Sequence, residues 1–258
     1  MKITILGSGS SGGVPLIGCQ CAVCQSNDPK NKRTRVSLLI EINGINLLVD
    51  TSPDLRQQAL RHDIRRIDAV LYTHDHADHT NGIDDLRSFN YLSGNVLPIY
   101  GTQKTLAGIA QRFPYVFGPK PENAWYRPAL SAHPLPDAQL HEFTIKNIPI
   151  TMFRQGHGGH GESTGYRIGN FAYSTDTDKL SETAFSELSG LDVWIVDCLR
   201  YTHSPSHSNL DNTLKWIERA KPRKAILTHM AHDFDYKTLL AELPAGILPG
   251  FDGMIIEL

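Results

Sequence analysis

Seven consecutive residues, Thr73-His-Asp-His-Ala-Asp-His79, put four metal-ligand side chains into six positions. They follow an apolar, β-rich run from Ile67 to Tyr72 and precede a helix-compatible stretch, so they read as leaving the carboxyl end of a strand. His74 and His76, two apart, can reach one ion together. Asp78 and His79, on the turn into the next element, aim at a neighbouring point. Holding four such groups together without a compensating cation is costly. The bland alternative is a His-rich surface loop. A two-metal centre explains the spacing better.

The cysteines form the second cluster. Three lie in Cys19-Gln-Cys21-Ala-Val-Cys24, and the fourth, Cys198, stands alone. Three close thiols cannot all pair with one another, and a disulfide framework uses an even, dispersed set. Metal binding is the expected use, a structural zinc before a redox cluster. Cys198 reads as a small buried apolar residue.

Positioning these groups calls for an alternating α/β chain. Residues 2–6, 36–42 and 45–49 read as strands, the last two joined by the Asn43-Gly44 turn, and the third ends in Asp50. Residues 53–63 read as a helix with Ser52 as N-cap and Pro53 at its first position. Between about 80 and 145, Pro114, Pro119, Pro121, Pro128, Pro134 and Pro136 break the pattern, which reads as a loop-rich insertion. Strands follow at 151–153, 171–174, 193–196 and 224–227, each running into His157, Asp176, Asp197 or His229. Helices at about 208–220 and 236–243 complete the second half. Chemistry at strand ends is where such folds place it, although Asp50 or Asp176 could instead cap a helix.

In this order and at these kinds of position, Asp50, the His74 to His79 cluster, His157, Asp176 and His229 resemble the metallo-β-lactamase superfamily across essentially the whole chain. The resemblance implies an αββα sandwich, two mixed β-sheets flanked by helices, as one domain over residues 1–258. It implies that His74, His76 and His157 hold one divalent ion and that Asp78, His79 and His229 hold a second. Asp176 would bridge them, and Asp50 would orient the ligands from behind. His157 is preferred to His160 because it follows its strand directly.

A narrower likeness lies in Gly7-Ser-Gly-Ser-Ser-Gly-Gly-Val-Pro15 and Gly18-Cys-x-Cys-x-x-Cys24, which resemble the PhnP-type cyclic phosphodiesterases of that superfamily. It implies a structural zinc held by Cys19, Cys21, Cys24 and His232, three residues beyond His229. It also implies a general-acid histidine after Asp197-Cys198, with His207 the better match and His203 the alternative. The glycine run lacks the Lys-Ser/Thr of a P-loop and reads first as a turn. Arg87 reads as a surface ion pair before a phosphate contact.

The function these features imply is hydrolysis of a small cyclic phosphodiester or nucleotide, with catalytic roles for Asp78, Asp176 and His207 and two Zn²⁺ or Mn²⁺ ions. Thioester or lactone hydrolysis is the main rival, followed by tRNA-end processing and a non-enzymatic protein resembling PqqB. A formal charge of −2 argues against a large nucleic-acid surface. No apolar run reaches the roughly 20 residues needed to cross a bilayer, and the amino terminus lacks a signal peptide's apolar core, so the expectation is cytoplasmic. A homodimer is compatible with all of this.

Overall fold

The computed structural model describes residues 1–118, 127–159 and 161–258. Pro119, Pro121 and His160 therefore lie outside the described residues. In chain order the first half runs β1 (Lys2–Gly7), a helical turn α1 (Ala22–Gln25), β2 (Ser37–Ile42), β3 (Ile45–Val49), α2 (Leu55–Arg61), β4 (Ala69–Leu71) and α3 (Ala77–Thr80). Then come α4 (Arg87–Ser93), β5 (Leu97–Thr102), α5 (Gln103–Arg112), β6 (Leu130–Leu135) and β7 (Leu140–Ile145). The second half has β8 (Ile148–Gly156), β9 (Glu162–Ile168), β10 (Phe171–Ser174), β11 (Lys179–Leu180), α6 (Glu182–Glu187) and β12 (Val193–Asp197). It closes with α7 (Leu210–Ala220), β13 (Lys224–Thr228), α8 (Tyr236–Glu242), β14 (Ile247–Pro249) and β15 (Ile255–Glu257).

These elements gather into two compact units, each built on one mixed sheet. The first comprises Met1–Gly7, Val36–Asp137 and Gly253–Leu258. Its strand order is β15-β1-β2-β3-β4-β5-β6, antiparallel from β15 to β3 and parallel from β3 to β6. Leu39, Leu48, Val70 and Ile99 pack there with Leu55 of α2, Phe89 of α4 and Leu106 and Ile109 of α5. Each fully buried side chain of this size contributes about 1.5–3 kcal/mol. Because β3 and β4 are parallel, with Val49 opposite Leu71, they deliver Asp50 and Thr73 to the same sheet edge.

The second unit comprises Ser8–Arg35 and Ala138–Asp252. Its strands run β11-β8-β9-β10-β12-β13-β14, with β7 paired to β8. From β10 to β14 the pairing is parallel, so Ser174 lies opposite Val196 and Asp197 opposite Thr228. Asp176, Asp197 and His229 therefore leave one edge as neighbours. Trp194, Val196 and Leu227 pack with Ala184 of α6, Trp216 and Ile217 of α7 and Leu239 of α8. The α7 stripe is Leu210, Thr213, Trp216, Ile217 and Ala220, the spacing of one helical face, and the Asn209 side chain caps it by accepting from the Asn212 N–H at 3.2 Å.

Two expectations are corrected. The stretch from 80 to 145 carries α4, α5 and strands β5, β6 and β7 rather than a loop-rich insertion. Its prolines sit where regular structure tolerates them: Pro114 opens a 3-10 turn, and Pro134 lies on β6, an edge strand. The helix expected at 53–63 is shorter, and Asp54 rather than Ser52 occupies the cap position. The Ser52 hydroxyl accepts from the Asp54 N–H and donates to Gln58, which makes a turn ahead of the helix.

Candidate metal centres

In the first unit, Thr73–His79 begins just beyond β4, and His76 sits at the cap position of α3, so Asp78 and His79 occupy the first turn. Asp50 follows β3 and is fully buried. Its carboxylate accepts from the Thr73 N–H and hydroxyl, both at 2.8 Å, and from Nδ1 of His79 at 2.7 Å. Burial pushes this carboxyl up, and the charge and hydrogen bond of His79 oppose the rise.

These bonds fix two tautomers. Since His79 donates Nδ1–H to Asp50, its coordinating lone pair is on Nε2, which lies 3.4 Å from Asp78. The Thr73 hydroxyl has one proton and gives it to Asp50, so Nδ1 of His74, 3.0 Å away, must donate to Thr73. The His74 lone pair is therefore also on Nε2. The His74 ring lies 4.4 Å from that of His76 and 4.2 Å from that of His79. All four sequence-read ligands of this unit thus converge, with Asp50 behind them. Gly82 keeps the segment closed: an added Cβ there would collide with the Ser52 carbonyl oxygen.

The second unit holds its own set of sequence-read candidates. His157 follows β8 and donates Nδ1–H to the Ser206 carbonyl at 2.8 Å, again leaving Nε2 as the lone-pair nitrogen. Asp176 has one oxygen 3.8 Å from Nε2 of His157 and the other 3.4 Å from Nε2 of His229. Each oxygen of one carboxylate thus faces a different histidine. The Thr175 hydroxyl fixes the group by donating to Oδ1 at 2.7 Å.

Asp50, Asp176 and His229 all hold positive φ, at 60°, 51° and 58°. Asp and His are among the few L-residues that adopt this region readily, and such conformations gather at functional sites.

The sequence reading gave Asp197 no role, yet it anchors this edge. Fully buried, it accepts from the N–H groups of Thr177 and Ser208 at 2.9 and 3.3 Å. One oxygen lies 3.3 Å from Nδ1 of His207 and the other 3.7 Å from Nδ1 of His229. The His207 ring stacks on that of His229 at 4.7 Å and lies 4.9 Å from that of His157. His203 is exposed on the same loop and makes none of these contacts. Arg87 is exposed at the start of α4.

Also in the second unit, one ligand atom from each of Cys19, Cys21, Cys24 and His232 lies within 4.8 Å of the others. Nδ1 of His232 is 3.4 Å from Sγ of Cys19 and 3.3 Å from Sγ of Cys21. The His232 ring draws the Cys21 thiol down to about 6, whereas burial pushes Cys24 up to about 11. Cys198 is fully buried, and its thiol is likewise pushed up by burial.

A model of the beta-lactamase superfamily domain matches residues 45–230. The chain belongs to the β-lactamase superfamily. Its two mixed sheets with flanking helices are the parts of the αββα sandwich of that superfamily, whose members are predominantly hydrolytic enzymes. A crystal structure described as a new diphosphatase from the PhnP family superposes with a TM-score of 0.92 at 36% identity, covering 100% of this chain and 96% of that one. Zn²⁺-bound PqqB from Methylobacterium extorquens shares the fold at TM-score 0.81 and 19% identity, over the whole of both chains. An octanoyltransferase of Porphyromonas gingivalis is 36% identical over 98% of this chain, but the chain spans only 51% of that protein. Among the described residues, no helix is long and apolar enough to cross a membrane.

Proposed function

We propose that this superfamily member is a dinuclear metal-dependent phosphodiester hydrolase acting on small cyclic phosphodiesters or nucleotides. The observation that carries the reading is Asp176, whose two oxygens face His157 and His229 separately, so that one carboxylate would be available to ions held on either side. In this reading His74, His76 and His157 hold one ion, and Asp78, His79 and His229 the other. The donor set fits such ions: the tautomers of His74, His79 and His157 are each set by a hydrogen bond at Nδ1, which keeps Nε2 available. When bound, a pair of Zn²⁺ or Mn²⁺ ions supplies an activated water at neutral pH and neutralises phosphoryl oxygens.

The protein's own part at the leaving group falls to His207. With Nδ1 beside Asp197, a protonated ring presents its Nε2 proton to the ester oxygen. As the water oxygen bonds to phosphorus, the P–O ester bond breaks and the alkoxide takes that proton. Hydrolysis of a phosphoanhydride is a second reading, favoured by the PhnP-family diphosphatase at 36% identity over the full chain. Metal-stripped protein reloaded with Zn²⁺ or Mn²⁺ and assayed on cyclic phosphodiesters, linear phosphodiesters and a diphosphate ester tests both. Turnover confined to thioesters or lactones would overturn both.

The Cys₃His cluster is proposed as a separate, closed zinc site. Left metal-free, the Cys21 and Cys24 thiols are pushed in opposite directions, and a bound cation would favour the thiolate form at both. Cys21→Ser should leave the purified protein with about one zinc fewer and a lower Tm. Unchanged zinc content would refute the assignment.

A pH dependence follows from the same groups. Cys24, pushed up to about 11, must lose its proton to become a ligand. Zinc uptake by the metal-free chain should therefore strengthen as pH rises from 7 to 9, by up to about tenfold per unit for this thiol. A competition titration with a chelator measures this, and a flat profile would remove Cys24 from the ligand set.

A further inference from the structure

A pocket of about 410 Å³ in the second unit shares His207 with the catalytic edge. Its size lies within the roughly 300–1,000 Å³ typical of small-molecule sites. Because His207 stacks on His229 and also lines this pocket, a group whose ester oxygen is protonated by His207 departs into it. Resting on the phosphodiesterase reading, we infer that this pocket is a leaving-group subsite for a hydroxylated, unphosphorylated moiety such as a sugar, with Ser204, Asn212 and Lys215 as specificity-determining residues.

The lining chemistry selects that class. Every lining side chain is polar or charged, so an acyl chain finds little apolar surface to bury against. Asp178 and Asp211 face the same space as Lys215, so a further phosphate on the leaving group would meet two carboxylates for one ammonium. Five lining side chains have hydrogen-bonding capacity that no contact among the described residues uses, His203, Ser204, Asp211, Asn212 and Lys215, and of these Ser204, Asn212 and Lys215 can donate without carrying a negative charge or sharing the acid's place. Ser204 is only 5% exposed, so its hydroxyl is held out of bulk water beside the cavity. Asn209, by contrast, is occupied: its side chain accepts from the Asn212 N–H and donates to the Tyr201 carbonyl. A hydroxyl, the amide of Asn212 and an ammonium together offer both donors and acceptors. Sugar hydroxyls, which both donate and accept, match that mixture where a phosphate or an alkyl group does not.

The test uses two five-membered cyclic phosphates with alkoxide leaving groups, ribose 2,3-cyclic phosphate and 1,2-propanediol cyclic phosphate. The wild-type protein, loaded with its metals, should prefer the ribose compound in kcat/KM. Asn212→Ala and Lys215→Ala should each cut that preference by roughly 3- to 10-fold through KM while leaving propanediol cyclic phosphate turnover unchanged. Equal handling of both substrates by the wild type, or an unchanged preference in both variants, would overturn the subsite. So would faster turnover of a diphosphate ester that Lys215→Ala alone abolishes, because the pocket would then hold a phosphate. If neither cyclic phosphate is hydrolysed with any metal, it is the phosphodiesterase reading that fails. The subsite is then judged by calorimetric binding of the ribose compound: weaker binding to Asn212→Ala supports it, and equal affinity overturns it.

Discussion

Replacing Asp176 should cost on the order of 10³-fold or more in kcat, since water activation and charge neutralisation by a metal pair supply several kcal/mol of transition-state stabilisation. The choice of substitution matters because Asp176 sits at φ 51°. Alanine there removes the carboxylate and also suffers the roughly 1–2 kcal/mol cost of a left-handed conformation. Asparagine tolerates that conformation and keeps a similar shape, so Asp176→Asn isolates the loss of charge and of one oxygen. The reading requires both variants to lose much of their bound metal along with activity, while Asp176→Asn retains a Tm close to that of the metal-free wild type. The hydroxyl of Thr175, which donates to Asp176, can donate equally to the amide oxygen of Asn, so the local hydrogen bond survives. Near-normal activity in a metal-replete Asp176→Asn preparation would remove the bridging role and with it the dinuclear reading.

The positions of the candidate ligands were legible in the sequence because His and Asp recur where apolar β-type runs end. His74, His157, Asp176 and His229 each follow a β-type run, and β3, β10, β12 and β13 lie close to where the apolar runs put them. The physical reason is the parallel pairing: strands that run the same way end at the same edge, so strand-end residues become neighbours without further specification. What failed to show was whatever depends on partners distant in sequence. β9 is read only when β8 and β10 are present to pair with it. β5 alternates between buried and half-buried positions, but Pro98 within it reads as a breaker. Asp197 looked like one more strand-end acid. Its role emerges only when His207, ten residues on, and His229 are found facing its two oxygens. The tautomers were equally invisible, since Thr73 and the Ser206 carbonyl have no signature of their own.

His207→Ala should slow hydrolysis of an alkyl or ribose cyclic phosphate by about 10²–10⁴-fold, the usual worth of general acid catalysis, yet slow an activated p-nitrophenyl diester much less. The contrast follows from the leaving groups: an alkoxide departs poorly without a proton, whereas a nitrophenolate needs little help. The variant should fold and load metal normally. Asp197, the buried group that His207 leaves behind, still accepts from the Thr177 and Ser208 N–H groups, so no carboxylate is stranded. The same experiment separates the carbonyl rival, because a thiolate also leaves unprotonated: thioester hydrolysis that survives His207→Ala while phosphodiester turnover is absent would favour that reading. Equal losses on the alkyl and nitrophenyl substrates would indicate that His207 positions the phosphate instead of protonating the leaving oxygen. No loss on either would return the acid to His203, whose exposed ring would then have to reach the substrate from across the pocket that the two histidines share.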